Sequence, residues 1–352
     1  MIAATVVAPI LGMLLVPAFV LVLAIATPRL RAPEGLPYQV RLERHRRIAW
    51  IDTIALLVLI GLSLATLAAI LTSDPRTLLA AAALGSGAGL IAVTASRTFG
   101  VGVPFGGPPG LTGPAGLDTE TSRGMWLDIV AEMAAAAGIA PPRFAVSHGS
   151  DANAYVWPAR AAATVVVSQA LVAHLHRGQA AGVIAHLVAR VTGHDDAADR
   201  CAATLSSFIS GVGWIVLGVG VPAMVWVAVV LGATGNASAE GDALLRIPLL
   251  VLVPAVVASA MLWAGRLVAG PLNVELVLLA DAQAIAFTRD PVALASALDH
   301  INHGSTVFDV PKAARHLFIA NPRVQERGRL GSARSAYPPI AERLERIRAG
   351  DA

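Results

Sequence analysis

The chain has one cysteine, Cys201, one lysine, Lys312, and little charge of either sign: Asp, Glu, Lys and Arg make up 14% of its 352 residues. A lone cysteine excludes an intrachain disulfide framework and any metal site built from several thiolates. The charge content lies far below the roughly 25% of ordinary globular domains, and disordered and collagen-like compositions are excluded as well. Three tyrosines and eight phenylalanines leave few rings for stacking on bases. The pI of 9.6 therefore reflects an excess of arginine and does not point to a nucleic-acid partner. There is no Walker A loop, no glycine fingerprint between a strand and a helix, and no G-x-S-x-G elbow. Apolar residues are abundant, at 56% of the chain with a mean hydropathy of +0.68. One core cannot hide that much apolar surface, so part of it must face lipid.

About 20 mostly apolar residues cross a bilayer core as a helix. Five stretches qualify, near 3–27, 49–72, 77–96, 205–232 and 247–269. The segment between the first two carries Arg29, Arg31, Arg41, Arg44, Arg46 and Arg47, whereas the turn after the second offers only Arg76 and the loop after the fourth only Arg246. Arginine-rich loops stay on the cytoplasmic side. The expected topology is an outside N-terminus in the cell (inner) membrane, with 97–203 and 270–352 in the cytoplasm. The first span lacks a basic leader and a small-residue exit, and reads as a retained anchor. Asp52, at the edge of span two, reads as a carboxylate reaching headgroup water or an arginine.

The expected organisation is three spans over 1–96 with a basic loop at 28–47, a Gly/Pro-rich linker at 97–117, a first soluble half at 118–203, a membrane hairpin at 204–269 and a second soluble half at 270–352. Trp126, Ile129, Val130 and Met133 recur at helical spacing, and Gly138 ends that helix. RFAVS (143–147), NAYVW (153–157) and ATVVV (163–167) read as short strands, followed by a short helix at 168–176 and a longer one from Gln179 to about Asp199. Beyond span five, 273–288 and 291–301 read as two further helices. The fold class is an α-helical integral membrane protein with an α+β cytoplasmic domain split by a membrane hairpin.

At this level of detail the chain resembles the HtpX-type membrane zinc metallopeptidases, gluzincins related to the CAAX prenyl proteases. The resemblance rests on the strand–NAY–strand–helix order followed by VIAHLVARVTGHD, on LVLLADAQAIAFTRDP after the hairpin, and on HLFIANP and AYPPIAERLERIR near the end. Together these cover roughly 118–203 and 270–350. The family's own motifs read HExxH with an Asp further on, then R-E-x-x-A-D-A, HLFIxNP and THPPxxER. The resemblance implies a zinc held by two histidines one helical turn apart and a glutamate from the second motif, with the glutamate of HExxH as general base.

Carried over residue by residue, His186 stands at the first ligand position, Leu187 at the general base, Arg190 at the second ligand and Val277 at the third. Glu275 is two residues out of register and about 200° round a helix from that position. A guanidinium does not lose its proton to become a ligand, and an alkyl chain takes no proton from water. Asp195 and Asp281 keep the family's supporting positions, while Tyr337 replaces the histidine of THPP. His194 lies eight residues beyond His186, too far along a straight helix to share its metal. His45, His148, His174, His176, His300, His303 and His316 read as structural.

These substitutions predict a catalytically inactive homologue without a cofactor, although the family uses zinc. Its fold would bind a polypeptide segment along the edge formed by Asn153, Ala154 and Tyr155, or a membrane protein partner. Two other readings are an active zinc endopeptidase with unusual ligation and a membrane scaffold or transporter component. In the vacated centre, Arg190 is expected to form an ion pair with Asp281 or Asp195, with Leu187 and Val277 packed beside it.

Overall fold

A computed structural model of the chain describes residues 2–30, 38–69, 74–99, 111–112, 120–147, 152–157, 163–193, 197–233, 242–303, 317–320 and 337–350. In chain order the elements are α1 (Ile2–Leu30), α2 (Tyr38–Ala68), α3 (Pro75–Phe99), β1 (Leu111–Thr112), α4 (Glu120–Ala137), β2 (Arg143–Ser147), β3 (Ala154–Trp157), β4 (Thr164–Ser168), α5 (Gln169–His174), α6 (Arg177–Gly193), α7 (Ala197–Ile215), α8 (Val221–Ala233), α9 (Asp242–Thr288), α10 (Pro291–His303) and α11 (Ile340–Ala349). They form two compact units. One comprises 1–31, 44–101 and 198–269, and the other 32–43, 102–197 and 270–352.

Among the described residues, the first unit is all helical. Among the described residues, four helical stretches are long and apolar enough to cross a membrane: Val40–Ala68, Pro75–Thr94, Thr204–Trp226 and Val251–Thr288. α1 adds a shorter apolar stretch, Pro9–Leu23. Leu14, Leu79, Leu84 and Trp226 point outward, 61–71% exposed, as side chains facing lipid do. Small residues bring the helix backbones together. A Cβ on Gly85 would meet the Ile60 carbonyl at 2.9 Å, and Ser86 Oγ donates to the Leu57 carbonyl at 3.1 Å, so α2 and α3 touch backbone to backbone. Gly213 plays the same part against Ala258, where a Cβ would stand 3.1 Å from the carbonyl, and joins α7 to α9. α7 passes into α8 through one π-helical turn, Val216–Gly220. Asp52 is buried, 5% exposed, and so does not reach out to headgroup water.

Among its described residues the second unit has a four-stranded sheet of order β1-β2-β4-β3. β2 and β4 run parallel, from Arg143 beside Thr164 to Ser147 beside Ser168, and β3 returns antiparallel against β4. Alternation along the strands sorts their side chains between two faces. Phe144, Val146, Ala154, Val156, Val165 and Val167 enter the main core with Trp126, Leu171, Ile184, Leu187 and Leu298. Ala145, Tyr155, Trp157 and Val166 turn the other way, onto Leu317 and Phe318. Trp126, Ile129, Val130 and Met133 form the buried stripe of α4, which stops at Gly138 with a φ of 67°. A Cβ-bearing residue adopts that conformation only at a cost.

Two further expectations change. α9 runs unbroken for 47 residues, so span five and the helix after it are one element that continues through Gly270 and Pro271. Proline removes one backbone donor and crowds the carbonyl four residues back, but flanking helical bonds and the burial of Val268 and Leu272 keep the helix going. Within the Gly/Pro-rich 97–117 stretch, Leu111 and Thr112 form a strand, pairing antiparallel with Ser147 and Val146 because β2 would otherwise present an open edge. The remainder of that stretch beyond α3 lies outside the described residues.

Candidate functional site

α6 carries His186 and Arg190 one helical turn apart on a buried stretch of the helix: His186 and Leu187 are 0% exposed and Arg190 is 4% exposed. Ala180, Val183, Ile184, Leu187 and Val188 anchor α6 in the main core. From α9 come Val277, fully buried, and Asp281, 2% exposed. α11 supplies Arg343, which is 1% exposed.

Asp281 is the hub. Its Oδ1 accepts from His186 Nδ1 at 2.8 Å and from Arg343 Nη2 at 2.7 Å, while its Oδ2 accepts from Arg343 Nε at 2.7 Å. Two parallel guanidinium bonds to one carboxylate are the strongest geometry such a pair adopts. Arg343 Nη1 also donates to the Ile319 carbonyl at 2.6 Å. Because the Nδ1–H donates a hydrogen bond to Asp281, the lone pair of His186 sits on Nε2. That atom is buried without a hydrogen-bond partner among the described residues. Burial drives the His186 imidazole down to about 4, against an upward pull from Asp281.

The expected pairing of Arg190 with Asp281 does not occur, because Arg343 and His186 occupy that carboxylate. Arg190 instead bonds the side chain of Tyr337. Asn273 also bonds the Tyr337 side chain, and the Tyr337 hydroxyl donates to the Phe318 carbonyl at 2.8 Å. Burial holds the Arg190 guanidinium below its ordinary range, with Tyr337 pulling the other way, and pushes the Tyr337 phenol up to about 12. Asp195 lies outside the described residues, as do His148, His194 and His316.

Both hydrogen-bond chains end on one short segment, Leu317–Ala320. Ile319 N–H donates to the Ala154 carbonyl at 2.8 Å, and Phe318 bridges Tyr155 with their rings 4.6 Å apart. Asn153 Nδ2 donates to the Ala320 carbonyl at 3.0 Å. The edge at Asn153, Ala154 and Tyr155, expected to be open for a peptide, is therefore occupied by the chain's own backbone. Unpaired strand edges are costly to leave bare beside an apolar face, and the Tyr155–Phe318 contact covers this one.

The donor set can be tested against the zinc that the resemblance implies. His186 Nε2 is a buried lone pair in the right tautomer for a metal. Leu187 and Val277 have no donor atom, and Arg190 cannot give up its proton. Among the described residues no group of three or more His, Cys, Asp or Glu is placed to hold a metal ion. One ligand does not make a catalytic zinc site, which needs three and an open position. The residues do not fit the metal.

Sequence reasoning missed Arg343 and Tyr337 as parts of this centre. The signal was available in AYPPIAERLERIR, where Arg343 matches the family's THPPxxER motif and Tyr337 takes the place of its histidine.

Comparison with known proteins agrees with the architecture. Peptidase family M48 matches residues 124–350. A protease HtpX homologue of Thermoanaerobacter pseudethanolicus is 27% identical over 225 residues, 63% of this chain and 70% of the relative. One from Thermococcus sibiricus is 30% identical over 233 residues, 63% and 72% of the two chains. Another, from Streptococcus thermophilus, is 28% identical over 242 residues, 68% and 77%. No solved structure matches. A soluble α+β unit, apolar helices of membrane-spanning length and these relatives place the chain in peptidase family M48, as a membrane-bound member of its HtpX type.

Proposed function

We propose that this chain is a membrane-anchored metallopeptidase homologue that no longer hydrolyses peptide bonds and whose soluble unit serves to hold a polypeptide segment or a membrane partner. The observation that carries the reading is the burial of Leu187, 0% exposed in the apolar core, where the family pattern has its general base. Hydrolysis by this type of centre needs a carboxylate at that place to take a proton from metal-bound water. The degenerate HExxH, with Arg190 and Val277 at the other two ligand positions, removes the metal as well. What remains of the centre is a buried polar framework that links α6, α9 and α11 to the sheet edge. Such a framework supports binding surfaces and performs no chemistry. An incoming segment does not find the Asn153–Tyr155 edge open, so recognition uses another face.

The test is metal content and proteolysis on the full chain purified in detergent. Mass spectrometry is expected to find no zinc at the α6–α9 centre, and unfolded casein is expected to stay intact with or without added zinc. Stoichiometric zinc that is lost on Arg190 or His186 substitution, together with chelator-sensitive cleavage, would overturn the reading.

A further inference from the structure

Outside this centre, two exposed histidines among the described residues of the soluble unit meet. His174, the last residue of α5, and His300, in the last turn of α10, bring their rings to 5.8 Å between centroids with planes inclined by 30°. Both side chains are exposed. Their meeting is set by tertiary packing. Gln179 Nε2 on α6 donates to Ser296 Oγ on α10 at 2.7 Å, one turn before His300. A Cβ on Gly182 would stand 3.0 Å from Leu294 Cα, so α6 lies hard against α10.

We propose that His174 and His300 form a surface site for a first-row divalent transition metal (Cu²⁺, Ni²⁺ or Zn²⁺), with water completing the coordination. His174 Nδ1 donates to the Ala170 carbonyl at 2.8 Å, which fixes the tautomer and leaves the lone pair on Nε2. A backbone bond at one ring nitrogen is the usual way a metal-binding imidazole is oriented. Metal–nitrogen bonds of about 2.1 Å put each ring centre about 3.2 Å from the ion, so two rings can share an ion at separations up to about 6.4 Å. The observed 5.8 Å falls within that reach. Imidazole nitrogens select copper, nickel and zinc over magnesium and calcium, which prefer oxygen. The neighbouring His303 gives its Nδ1 to the Asp299 carbonyl at 2.8 Å, and the Asp299 carboxylate lies 3.6 Å from that nitrogen, adding negative charge on the same turn. The pair belongs to α5 and α10 and includes none of the α6 and α9 positions where the family's zinc would bind. Zinc in a preparation therefore does not by itself imply a hydrolytic centre.

The experiment is titration calorimetry of the full chain in detergent, carrying no histidine tag, with Ni²⁺ alone and then Cu²⁺ alone. Binding is expected for wild type, weakened at least tenfold by His174→Ala and, separately, by His300→Ala, and unchanged by His176→Ala. His300→Asn serves as a second variant at that position, and an unchanged unfolding midpoint without metal shows that each variant is folded. Wild-type affinity in a folded His174 or His300 variant, or no binding by wild type at millimolar metal, would overturn the proposal. Zinc that persists in the His174→Ala/His300→Ala double variant would count against the inactive-peptidase reading and leave this one standing.

Discussion

Arg343 holds Asp281 by two parallel hydrogen bonds, Nε to Oδ2 and Nη2 to Oδ1, each 2.7 Å long, with both side chains almost wholly out of contact with solvent. The carboxylate is thereby committed to a structural partner and still fixes the tautomer of His186. A buried pair of this kind adds little net stability compared with an apolar substitute, because desolvation offsets the attraction. It is expensive to break from one side.

Replacing Arg343 with Met leaves Asp281 buried with only the His186 contact. The expected loss is roughly 3–5 kcal/mol, read as a lower unfolding midpoint in detergent. Arg343→Lys should recover little of it, since an ammonium cannot reproduce the two-pronged geometry or reach the Ile319 carbonyl at the same time. Wild-type stability in Arg343→Met would show that the pair is incidental.

Tyr337→Phe removes one hydroxyl that donates to the Phe318 carbonyl and accepts from Arg190. Leaving those buried groups short of a partner should cost about 1–3 kcal/mol. Hydrogen exchange should rise at Ile319, whose N–H bonds Ala154 on the sheet edge. An unchanged exchange rate there would separate Tyr337 from the segment it contacts.

The combined substitutions Leu187→Glu, Arg190→His and Val277→Glu restore the family's donor types at the family's positions, with His186 already oriented by Asp281. In a His174→Ala background, this triple variant should bind zinc as measured by mass spectrometry after dialysis, while each single change binds none. Leu187→Glu alone should be strongly destabilising, because an unpaired carboxylate then enters an apolar core. A folded triple variant without metal would mean that the register joining α6 to α9 has been misassigned.

From the arginine asymmetry we propose an outside N-terminus with both soluble halves in the cytoplasm. A fluorescent reporter that folds only in the cytoplasm, fused after Asp351, should be bright, and a periplasmic phosphatase at the same place should be silent. The opposite pattern would reverse the topology.

Much of this was legible from the chain itself. Long uncharged runs require lipid, wherever they pack. The β-branched run Thr164–Val167 and the alternation in Arg143–Ser147 are strand patterns because neighbouring side chains must face opposite ways. The helical stripe Trp126, Ile129, Val130 and Met133 follows from a pitch of about 3.6 residues. That Leu187, Arg190 and Val277 stand at the family's general-base and ligand positions is what the resemblance implies, and the sequence alone shows that none of the three offers a carboxylate or an imidazole there.

Only the tertiary structure decided which cation pairs with Asp281. Arg190 and Arg343 are equally charged in the sequence. Arg343 takes the carboxylate because α11 presents its guanidinium edge-on from 62 residues away, whereas Arg190 points to Tyr337. The same holds for the sheet edge that Phe318 covers, for the unbroken course of α9 through Pro271, and for the meeting of His174 with His300. Periodicity along a chain reports which residues share a face. Which distant groups meet across two faces depends on how whole elements pack, and a buried charge takes the partner whose approach lets it keep most of its hydrogen bonds.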